Sequence, residues 1–221
     1  MKSALVLIDI QNDFFEKDVF DIQGAADIIP IINDIRSKYD QKFSSIFLVT
    51  DQRQETHISF KDSPYAKEEN LPFDEVTLSC KGKFPRYCVK GTKGAGLYYE
   101  MMIKGNEINI TKGEDKFKEE MSAFSNQMFR DILNSNEIKR VFLCGFTTEF
   151  SVGLTALDCA RKEYETYFIK TVKFFYLFLS SDAINFSNSA YVIIFTFFLS
   201  KFLIIAASDA GANPLHASLI T

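Results

Sequence analysis

The chain has 221 residues, 47% of them hydrophobic and 24% charged, with a net charge of −4. That length suits one α/β domain with a substantial core, or one domain plus an appendage. The acidic balance excludes nucleic acid as an expected partner, because phosphates select basic surfaces. The local basic group Lys81, Lys83, Arg86, Lys90 and Lys93 reads as a solvated loop.

In chain order, SALVLI (3–8) is a continuous apolar run that stops at Asp9, the pattern of a strand buried on both faces. The run is too brief for a secretory leader. Residues 24–38 place Ile28, Ile31, Ile32 and Ile35 at helical spacing, and Pro30 fits only in a first turn. SSIFLVT (44–50) is a second buried strand ending at Asp51, and 61–96 reads as a long excursion with little regular structure. EINIT (107–111) is a short strand ending at Lys112, and 117–134 carries a mixed helical pattern. RVFLCGF (140–146) is another buried strand, followed by a polar knot at 147–151, a helix over 152–163 and a strand at 165–169. The four cysteines, Cys80, Cys88, Cys144 and Cys159, form no CxxC pair, so free thiols in a reducing, cytoplasmic setting are expected.

Strands alternating with helices predict an α/β fold, a mainly parallel sheet with helices on both faces. Ligands of such sheets bind beyond the carboxyl ends of the strands. Asp9, Asp51, Lys112 and the 147–151 knot all fall at those ends. Asp9, Lys112 and Ser151 can then act as general base, charge-stabilising cation and nucleophile, with amides at 147–151 as an oxyanion hole. Each also has a plainer role: Asp9 and Ser151 as caps of the following turns, Lys112 as a surface lysine.

The segments LVLIDIQNDF (5–14), TDQRQETHISF (50–60), FPRYCVKGTKGAGL (84–97), TKG with SAF (111–113 and 122–124) and CGFTTEFSVGLTALDCA (144–160) together resemble the isochorismatase-like cysteine hydrolases. FPRYCVKGT resembles the WPxHCVxGT block of their nicotinamidase branch. The resemblance spans roughly residues 3–172. It implies amide hydrolysis through an acyl-enzyme, with Asp9 as base, Lys112 beside it and the nucleophile at Ser151. It also implies an oxyanion hole from the amides of Thr147 and Ser151, a cis Phe146–Thr147 peptide, and Phe14 and Tyr87 in the substrate pocket. The implied substrate is nicotinamide or a similar small amide, in NAD salvage, and family members often self-associate.

The family also holds zinc or another divalent metal on the ring nitrogen of nicotinamide. Here Asp51 and His57 remain as ligands, while Arg53 and Tyr87 stand at two expected ligand positions. Ser151 stands where the family has cysteine, and Lys112 is expected to depress Asp9, making it a weak base for a serine. Two readings therefore stay open: a divergent amidohydrolase, of nicotinamide or of another amide without metal, and a catalytically dead binding protein.

The C-terminal quarter differs in composition. From residue 166 onward the only acids are Asp182 and Asp209, and nine of the 23 Phe fall between Phe168 and Phe202. The expected division is a hydrolase domain over 1–172, an atypical apolar segment over 173–207 and a tail over 208–221. Three readings of the segment compete: a membrane anchor through 190–207, inserted strands, and translated non-coding sequence from a retained intron.

Overall fold

The computed structural model describes residues 1–20, 22, 24–67, 74–170, 191–198 and 201–207. Its elements are β1 (Ser3–Ile8), α1 (Ile28–Tyr39), β2 (Ser45–Asp51), α2 (Glu75–Cys80), β3 (Ile108–Lys112), α3 (Gln127–Ser135), β4 (Arg140–Gly145), α4 (Gly153–Arg161), β5 (Glu165–Lys170), β6 (Tyr191–Phe198) and β7 (Lys201–Ala207). The sheet order is β3-β2-β1-β4-β5-β6-β7. β1 to β5 pair in parallel, and β6 and β7 extend the sheet antiparallel.

β1 lies at the centre of the parallel part, between β2 and β4, and all six of its residues are buried. Its side chains alternate between two cores. Leu5 and Leu7 pack with Ile28, Ile29 and Ile32 of α1. Ala4, Val6 and Ile8 pack with Phe129 and Leu133 of α3 and with Ala156 and Cys159 of α4. Helices thus cover both faces, as the uninterrupted apolar runs require.

The helices are shorter than their sequence patterns. α1 begins at Ile28, and Pro30 falls in its first turn, where a missing N–H leaves no intrahelical bond unmade. The helical pattern over 117–134 becomes helix only from Gln127, because the Asn126 side chain accepts the amides of Met128 and Phe129 and starts the helix there. The helix expected over 152–163 runs from Gly153 to Arg161 and is entered through a wide π-helical turn at Thr148–Val152. Within 61–96, regular structure is limited among the described residues to α2, capped by Asp74, and a short 3-10 turn at Pro64–Lys67.

All four cysteines are free and buried. Arg86 pairs with Glu55 and Asp62, and Lys90 with Glu114, so these members of the basic loop are spent on surface ion pairs. In the apolar C-terminal segment, 191–198 and 201–207 form a hairpin of strands against β5. No helix among the described residues is long and apolar enough to cross a membrane. Residues 171–190 and 208–221 lie outside the described residues, and with them much of the atypical segment and the tail.

Candidate active site

The carboxyl edge of the parallel strands gathers the polar residues that the apolar runs end on. β2 and β3 place Asp51 opposite Lys112, while β1 and β4 place Ile8 opposite Gly145. The next residue, Asp9, has a φ of 53°, a left-handed conformation that turns the chain out of the sheet. Such strain in a non-glycine residue concentrates at functional sites. At Gly145 a Cβ would lie 1.8 Å from the Ile8 carbonyl oxygen, so only glycine lets β4 pass β1 this closely.

Lys112 is the hub. Its ammonium, 1% exposed as a residue, donates to Asp9 Oδ2 at 2.9 Å, Asp51 Oδ1 at 2.6 Å and Ser151 Oγ at 3.2 Å. A lysine has three N–H donors, and all three are used. The plainer roles do not apply. Lys112 is buried, Asp9 does not cap the Asn12–Phe14 turn, and Ser151 sits inside the π-helical turn rather than at a helix cap. Thr147 precedes that turn, its carbonyl accepting the amides of Phe150 and Val152, and the Phe146–Thr147 peptide is cis.

The electrostatics correct one expectation. Burial raises the Asp9 pKa to about 7, and Asp51 adds to the rise, while Lys112 offsets it only in part. Asp9 is therefore a stronger base than a carboxylate depressed by a lysine. Its Oδ1 is buried without a hydrogen-bond partner, although the Ser151 hydroxyl is near enough to weigh toward a lower pKa. Burial alone would raise Asp51, but Arg53 and Lys112 outweigh it and hold this carboxyl low. Burial would lower Lys112, yet Asp51 and Asp9 keep it raised and charged.

Two supporting residues had no chemical signature in the sequence. The buried Gln11 side chain donates to the carbonyls of Asp51 and Ala95 and accepts the Asp51 amide, tying β1, β2 and the 88–97 loop together. Glu119 is buried and pairs with Arg53. Only the need to balance buried cations could have pointed to it. Phe14 and Tyr87 meet edge to face at 5.9 Å, with Phe14 also stacked on Phe146 beside the cis peptide.

The Isochorismatase domain family matches residues 3–171. The chain belongs to that family. Within it, a nicotinamidase of Acinetobacter baylyi is 29% identical over 174 residues, covering 75% of this chain and 78% of the relative. A nicotinamidase of Schizosaccharomyces pombe is 29% identical over 178 residues, covering 75% and 80%. The crystal structure of a pyrazinamidase of Pyrococcus horikoshii in complex with zinc has a TM-score of 0.64 and 30% identity, covering 76% of this chain and 83% of that one. These relatives place the chain in the nicotinamidase branch.

A zinc ion does not fit the donors this family member offers. Both Asp51 oxygens are engaged, Oδ1 by Lys112 and Oδ2 by Arg53. His57, fully buried rather than a surface residue, has its Nε2–H on the Lys118 carbonyl, which leaves Nδ1 facing Arg53 and Ser59. Burial and the Arg53 charge push His57 down to about 4, so it is neutral. Among the described residues no three His, Cys, Asp or Glu side chains are grouped to hold a metal.

Proposed function

We propose that this protein is an amidohydrolase acting on nicotinamide or a closely similar aromatic amide, through an ester on Ser151. The observation that carries the reading is the Lys112 ammonium joining Asp9 and Ser151 in one buried cluster, with Asp9 Oδ1 left free to take a proton. Its kinship with nicotinamidases supports the substrate.

In this mechanism Asp9 Oδ1 removes the Ser151 hydroxyl proton as Oγ attacks the amide carbon. The amides of Thr147 and Ser151 donate to the developing oxyanion. The proton on Asp9 passes to the departing nitrogen, the C–N bond breaks and ammonia leaves. A water then loses a proton to Asp9 and attacks the ester, and the acid departs as Ser151 regains its proton. Lys112 remains an ammonium throughout, holding both Asp9 and Oγ in place. Phe14 and Tyr87 supply an apolar wall for an aromatic ring. No step is routed through a metal.

A second reading is a binding protein that has lost the chemistry. It is favoured by the absence, among the described residues, of an imidazole partner for Ser151: His57 is committed to Arg53, Ser59 and Lys118. Ammonia release from nicotinamide by the purified protein separates the two. Under the first reading the wild type releases ammonia and Ser151→Ala does not. Under the second the wild type binds nicotinamide without turnover, and Ser151→Cys, which supplies a thiolate, restores release.

A further inference from the structure

The strongest departure from a metallo-hydrolase is Arg53, a fully buried arginine in the middle of the residues where the family's metal is expected. An arginine presents five N–H donors in a planar fork. Here Nε and Nη2 donate to Asp51 Oδ2 at 3.2 and 3.1 Å, and Nη2 also reaches Glu119 Oε1. Nη1 donates to Glu119 Oε2 at 3.0 Å and faces Ser59 Oγ and His57 Nδ1, both at 3.1 Å. The Tyr87 ring covers the guanidinium, 4.3 Å from Cζ to the ring centroid, a cation–π contact. Every donor edge and one face are satisfied from within the chain.

We infer that the Arg53 guanidinium has taken over the place of the divalent cation and keeps a positive charge there, so that this site is complete without metal. Two substitutions fit together in this account. Arginine brings the cation permanently on the chain. Tyrosine at position 87 provides the aromatic face that covers it. Glu119 supplies the second carboxylate, and its pairing with Arg53 leaves Asp51 Oδ1 for Lys112. The alternating order Glu119, Arg53, Asp51, Lys112, Asp9 then runs from the former metal position to the reacting end of the cluster. An ammonium would serve less well than this fork, because it lacks the planar pair of donors with which Arg53 meets both Glu119 oxygens. The inference stands whether or not Ser151 attacks an amide, since it concerns what occupies the site rather than what reacts there.

The test is zinc uptake by the full chain after chelator treatment and dialysis, read by elemental analysis and by thermal melting with and without 100 µM zinc chloride (about that concentration suffices for a micromolar site). The expected result is no zinc retained by the wild type at this site and an unchanged melting temperature. Arg53→Ala opens a space facing Asp51, Glu119 and His57, and is expected to melt lower than wild type and to regain several degrees on adding zinc. One equivalent of zinc in the wild type that is lost in Asp51→Asn overturns the inference. So does an Arg53→Ala protein that melts like wild type, or whose melting zinc leaves unchanged. Should Arg53→Ala fail to fold with and without zinc, the wild-type uptake and its Asp51→Asn control decide alone.

Discussion

Replacing Lys112 by methionine tests the hub directly. Methionine keeps an unbranched apolar stem but removes the charge and the donors to Asp9, Asp51 and Ser151, at 2.9, 2.6 and 3.2 Å. Breaking a buried ion pair by deleting one partner costs about 3–5 kcal/mol. For a chain of this size that corresponds to a fall of about 6–20 °C in melting temperature. The lower end is expected, because Asp9 can neutralise itself by taking up a proton. Its folded pKa, already raised to about 7, rises further without the lysine. A carboxyl whose folded pKa lies above its unfolded value favours the folded state at low pH and disfavours it as pH climbs through the folded pKa. The deficit relative to wild type is therefore largest at pH 8 and shrinks toward pH 5.5, measured by melting followed with circular dichroism. A deficit that is absent at pH 8, or that grows on acidification, would refute the account of Lys112 as the charge that Asp9 and Asp51 depend on.

Two further outcomes follow from the same geometry. If Asp9 is the base, kcat/KM for nicotinamide rises about tenfold per pH unit below a midpoint near 7, the pKa of Asp9, and levels off above it. A flat profile between about pH 5 and 8 in a stopped ammonia assay would remove Asp9 from that role. Gly145→Ala places a methyl group 1.8 Å from the Ile8 carbonyl oxygen at φ 134°, so β1 and β4 must separate at the point where both enter the site. The variant is expected to lose at least 3 kcal/mol, about the size of a severe core lesion, in urea unfolding, and wild-type stability there would contradict the close approach.

Much of the scaffold was legible because a strand buried on both faces must be apolar throughout. SALVLI, SSIFLVT and RVFLCGF carry that requirement on their surface, and each ends where its strand ends or within one residue of it. Helix ends were less legible. Asn126 and the wide turn at Thr148–Val152 set them through local hydrogen bonds that interrupt a helical pattern without altering its spacing.

The sequence by itself determined that Asp9 and Asp51 stand at the carboxyl edge, because each follows or closes a run whose burial fixes its place in the sheet; Lys112 closes a short edge strand and Ser151 lies in the turn beyond β4. Only the tertiary structure decided what those residues are chemically. A pKa reflects burial against charges a few ångströms away, so the lysine that was expected to depress Asp9 is outweighed by the loss of water around it. Arg53 likewise reads in the sequence as a charge obstructing a metal ligand position. It becomes a satisfied internal cation only because folding brings Glu119 to it across 66 positions and lays Tyr87 over its face.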